Sequence, residues 1–122
     1  MKAKDKPYPD RRQHLTVALC LLLIQPLALA RSDEVHKALM QAEASLRSLD
    51  QGDNKGAAAH AEAAQSHVDI ALRDATGESL QRLKGCKTKL QETQQEANKD
   101  RISEAKASAI KARDDLKKLA DN

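Results

Sequence analysis

The chain has 122 residues and a formal net charge of +3, and that excess sits entirely in residues 1–30, which hold five Lys or Arg against two Asp. Residues 31–122 carry sixteen charges of each sign, no aromatic ring, no proline, two Val and three Ile. A neutral segment without stacking rings argues against nucleic-acid binding, and one so poor in strand formers argues against a catalytic α/β domain.

The first thirty residues read as an export signal. A basic stretch precedes the apolar run Leu15–Ile24, followed by Gln25-Pro26 and then Leu27-Ala28-Leu29-Ala30. Small residues at Ala28 and Ala30 form the pattern that signal peptidase cuts, which places cleavage after Ala30. The apolar run is too short to cross ~30 Å of hydrocarbon as a helix, so no membrane span is expected after cleavage. Leu19 before Cys20 and His14 after Arg11-Arg12 count against lipoprotein and twin-arginine export. The expected organisation is a signal peptide at 1–30 and one small domain at 31–122, with the periplasm as destination.

The remainder is rich in helix formers, with 17 Ala and 9 Leu. Apolar positions recur in steps of three and four, the period of a helix that buries one narrow seam. The first seam is Val35, Leu39, Ala42, Leu46 and Leu49, broken by Gly52-Asp53-Asn54. The second is Ala57, Ala61, Ala64, Val68, Ala71 and Ala75, ending at Thr76-Gly77. Leu80, Leu83, Cys86, Leu90, Thr93 and Ala97 make the third, stopped by Asn98-Lys99-Asp100. Ile102, Ala105, Ala109, Ala112, Leu116 and Leu119 make the fourth. Helices are expected to start near Asp33, Asp53, Gly77 and Asp100, with the three Asp as N-caps. Breaks this short force neighbouring helices to run antiparallel, giving an all-α, up-down-up-down four-helix bundle. A core so rich in Ala buries little area, which predicts marginal stability.

Enzyme signatures are absent from the sequence: it has no G-x-S-x-G, H-E-x-x-H, Gly-rich phosphate loop or C-x-x-C-H. The residues with chemistry to offer are His36, His60, His67, Met40 and Cys86. His60 and His67 share a helix face, ~10 Å apart along the axis, so neither chelates with the other. Folding the first helix back about residues 52–53 puts residue n opposite residue 105 − n. On that register His36 lies within a turn of His67 and Met40 opposite Gln65, while the next turn puts Cys86 opposite Ser66. His36, Met40, His67 and Cys86 are then expected in one layer. Imidazole, thioether and thiolate suit copper first and then zinc. Cys86, unpaired in an oxidising compartment, also has the chemistry for an intermolecular disulfide that would make a homodimer.

The stretch from Gly56 to His67 (GAAAHAEAAQSH), entered from an Asp/Asn/Gly turn, resembles the H-A-x-x-A/S-x-x-H repeat of the small periplasmic metal-binding protein family. The likeness extends to the signal peptide, the length and the helix count. It implies an exported, His-bearing four-helix bundle that binds copper or other transition metals, with nickel and zinc as the alternatives, for storage or tolerance, with ligand roles for His60 and His67 and more loosely His36. Elsewhere the motif departs from the family pattern. Glu104 and Lys111 occupy the expected His positions in the last helix, and Gln41 and Ser48 do so in the first. Two readings follow: a metal-buffering protein of the periplasm, or a metal-independent helical module that docks another protein of the cell envelope through charged faces such as Lys111–Lys118.

Overall fold

The computed structural model describes residues 33–121; the expected signal peptide lies outside them. Four helices follow one another: α1 (33–50), α2 (Asn54–Leu72), α3 (Gly77–Asn98) and α4 (Ile102–Asp121), with no strand among the described residues. The fold is an antiparallel four-helix bundle. Hydrogen bonds and ion pairs tie each helix to the next: Ser45 Oγ to the Ala57 carbonyl at 2.8 Å, Lys87 to Asp69 at 2.7 Å and Ser108 Oγ to Glu92 at 3.3 Å. Lys106 meets Asp50 at 3.0 Å and joins α4 back to α1. No helix among the described residues is long and apolar enough to cross a membrane.

The second seam is buried throughout, as its spacing predicts, although Ala75 lies past the end of α2, and so are five of the six α3 positions. In α1 the deepest side chains are Ala38, Ala42 and Ser45, while Leu39 and Leu46 are only half-buried. Small residues occupy the line of closest approach, and the larger Leu side chains cover its flanks. Ser45 is tolerated at the centre because its hydroxyl donates to a carbonyl that belongs to α2.

Capping follows the sequence only at one of the three Asp. Asp53 accepts the Gly56 backbone N–H at 2.9 Å and caps α2. Asp33 is already helical and holds Lys37 Nζ at 3.0 Å. Asp100 closes α3 instead of opening α4: it has φ +60°, its N–H donates to Ala97 O, and the next N–H, of Arg101, donates to Glu96 O. Gly52 makes the same closure at the end of α1, where its N–H donates to Leu49 O and that of Asp53 to Ser48 O. Both are six-residue Schellman turns, which require a left-handed residue at this point.

These two turns reveal an internal repeat. Shifting the chain by 48 residues superposes Gly52 on Asp100 and carries one buried set onto the other: Val35 on Leu83, Ala38 on Cys86, Ala42 on Leu90, Ser45 on Thr93, Ala61 on Ala109 and Val68 on Leu116. The bundle is thus two equivalent αα-hairpins. This register corrects the alignment of the His motif with the last helix: the structural counterparts of His60 and His67 are Ser108 and Asp115, not Glu104 and Lys111. Asp tolerates the left-handed conformation better than most side chains, and Asp100 also accepts a hydrogen bond from Asn54 Nδ2 at 2.9 Å, which joins the two turns. Gly52 has φ +77° and open space where a Cβ would stand. Gly52→Ala is therefore expected to cost about 1–2 kcal/mol by conformation alone, seen as a lower urea midpoint with an unchanged slope.

Candidate functional site

The polar side chains that bridge α1 and α2 form a ladder along one groove. Glu34 and Gln41 are seven residues apart on α1, and His67 and His60 are seven apart on the antiparallel α2. His67 Nδ1 lies 2.6 Å from Glu34 Oε2, and His60 Nδ1 lies 2.8 Å from Gln41 Oε1. Both oxygens are acceptors, so each ring donates through Nδ1, and a neutral ring in that tautomer has its lone pair on Nε2. Neither Nε2 has a hydrogen-bond partner among the described residues. Both side chains are half-buried. Lys37 sits beside Glu34 at 3.6 Å, and its hydrogen bond to Asp33 holds its ammonium above the ordinary lysine range.

The structure does not gather His36, Met40, His67 and Cys86 into one ligand set. Ser45 meets Ala57, Gln41 meets His60 and Glu34 meets His67, so residue n lies opposite residue 101 − n or 102 − n, about one helical turn from the expected register. The tight closure at Gln51–Asp53 returns the chain early, and the rotation of α1 decides which of its residues face α2. His36 is exposed, and Met40 is 66% exposed. Cys86 is fully buried in the core, its Sγ 3.9 Å from the Ala112 carbonyl. Burial pushes its pKa up to about 12; nearby Asp115 adds to the rise and Arg82 opposes it. A thiol so buried is out of reach of a second chain while the bundle is folded, so the structure lends no support to the expected disulfide-linked homodimer. Among the described residues no group of three or more His, Cys, Asp or Glu is arranged to hold an ion.

No protein-family profile matches this chain, and a search of curated proteins finds no similar sequence. The case for any ligand therefore rests on the side chains themselves. Glu34 and Gln41 are the contributors that the sequence reading overlooked, although their seven-residue spacing, equal to that of His60 and His67, was visible in it. The second hairpin gives a point of comparison. There Arg82 and Asp115 stand in the places of Glu34 and His67 and meet at 4.0 Å, with Arg82 also bonded to Glu78 at 2.9 Å. The same groove thus carries an imidazole–carboxylate pair in one hairpin and a guanidinium–carboxylate pair in the other. Only the first leaves a nitrogen lone pair to offer.

Proposed function

We propose that this chain is a small exported metal-binding protein that sequesters or buffers copper or another divalent transition metal through His60 and His67. One observation carries the reading: both imidazoles are held at Nδ1 by an oxygen acceptor on α1, at 2.6 and 2.8 Å, with Nε2 left available. Metal-ligating histidines are characteristically oriented in this way, because an acceptor on the far nitrogen fixes the tautomer and, where it is a carboxylate, raises the basicity of the ligating nitrogen. His36 and Met40, exposed on α1, and the buried thiol of Cys86 have no part in it. The periplasm is the compartment proposed from the signal-like residues 1–30, and the reading involves no catalysis. Titration with Cu²⁺, Ni²⁺ and Zn²⁺ at neutral pH is expected to show saturable binding that the His60→Ala/His67→Ala variant loses. Indistinguishable isotherms for the two proteins would remove the proposal.

A second reading draws on the comparison of the hairpins. Arg82–Asp115 occupies the place of Glu34–His67, so the imidazole pair also makes sense as a cross-helix tie in a metal-independent interaction module of the cell envelope. A melting temperature unmoved by metal or chelator would favour this alternative, since an ion bound only by the folded chain must raise stability.

A further inference from the structure

We propose that a second copy of this chain completes the metal site, with the two α2 helices antiparallel and His60 of each copy facing the partner's His67. The inference rests on the metal-binding reading above and names the partner that reading requires. His60 and His67 are two turns apart, ~10.5 Å along the axis at 1.5 Å per residue, so one ion cannot take both nitrogens of a single chain. Nδ1 is engaged in each ring, and no three-ligand group exists among the described residues. Among the described residues an ion on either Nε2 thus finds no set of three His, Cys, Asp or Glu ligands within its own chain, and a second chain can supply a further imidazole.

A twofold axis passing between residues 63 and 64 solves this in one operation. It places His60 opposite the partner's His67 and His67 opposite the partner's His60, generating two identical bis-imidazole sites. The spans match automatically, because both copies present the same seven-residue spacing. The side chains around the two rings suit such an approach: Ala59 and Ser66 are exposed and Ala63 is half-buried. With side chains this small, two helices can pack at ~8 Å, a distance over which imidazoles from both can reach one ion at ~2 Å from each nitrogen. Ile70 lies next along the same face, 40% exposed, and would gain cover in the pair.

The test is the solution mass of the chain expressed from residues 1–122, measured by sedimentation velocity with Zn²⁺ alone. A monomer in chelator that doubles in mass at one Zn²⁺ per chain, reversibly, is the expected result. His60→Ala and His67→Ala are each expected to stay monomeric under the same conditions. Mixing these two variants restores the dimer, because the mixed pair retains one intact site made of His67 from one variant and His60 from the other. A failure of mixing to restore it overturns the antiparallel pairing. Calorimetric binding of Zn²⁺ by a chain that stays monomeric overturns the completed site while leaving the metal-binding reading standing; no binding at all overturns both.

Discussion

Leu90→Ala is expected to remove about a third or more of the stability of this bundle. Leu90 is fully buried on α3, in a cluster with Ala42, Ala64, Val68, Cys86 and Ala112. Truncating a buried Leu generally costs about 2–5 kcal/mol, and the spread reflects how far the surroundings collapse into the cavity. Here they are poorly able to collapse, because Ala neighbours have no rotamers with which to fill space and the helices already touch along Ala. The upper part of the range is therefore expected, against a total of about 5–15 kcal/mol for a domain. At roughly 4–8 °C per kcal/mol for a chain of this size, the melting temperature should fall by tens of degrees. Far-UV circular dichroism is the suitable probe, since residues 31–122 have no aromatic ring to report by fluorescence. Leu90→Met, which nearly conserves volume, is expected to cost under about 1.5 kcal/mol. Met40→Ala, at a 66% exposed position, should change stability by no more than about 0.5 kcal/mol.

The second large effect is alkaline unfolding driven by Cys86. Its thiol ionises at about 12 in the fold, chiefly because burial penalises the thiolate, against 9.0 for an unperturbed thiol. Below 9.0 both folded and unfolded chains keep the proton and the contribution to stability is complete. Between 9.0 and about 12 the unfolded chain releases the proton while the folded one retains it, so stability falls as pH rises. The slope approaches about 1.4 kcal/mol per pH unit, the free energy of one proton's differential binding. Urea unfolding at increasing pH should show this slope in the native chain. A Cys86→Ala variant, lower in stability throughout because it loses the buried sulfur, should lack the component due to the thiol. For the same reason a thiol reagent at mildly alkaline pH is expected to leave Cys86 unmodified until the chain unfolds.

How much was legible beforehand differs from helix to helix. The α2 seam, from Ala57 to Ala71, was readable in full, because every third or fourth residue is Ala or Val and small side chains fit the closest approach between helices. The α1 seam was read through Leu39 and Leu46, whereas the structure buries Ala38 and Ser45 deepest. Neighbouring positions on a helix differ by about 100°, so apolar periodicity marks a face to within one residue and partner helices choose among the candidates. Asp100 shows another limit. An Asp before a helical run reads as an N-cap, but the same residue type also accepts left-handed backbone, and the preceding helix claimed it for its own closure. The 48-residue repeat was hidden because equivalent core positions hold different residues, Ala42 against Leu90 and Ala38 against Cys86, with equal spacing but little identity.

Sequence alone determined the all-helical class, the number of helices and their antiparallel order, because these depend on local periodicity and on breaks too short to permit any other connection. It also singled out His60 and His67, two imidazoles that a seven-residue spacing must put on one face. Only the tertiary structure decided what those rings contact. It shifted the α1–α2 register by about a turn, set Glu34 and Gln41 behind Nδ1 of each ring, turned Met40 to solvent and sealed Cys86 in the core. Helix rotation and register are set by side chains from different helices meeting across the seam, and no pattern within a single helix contains that information.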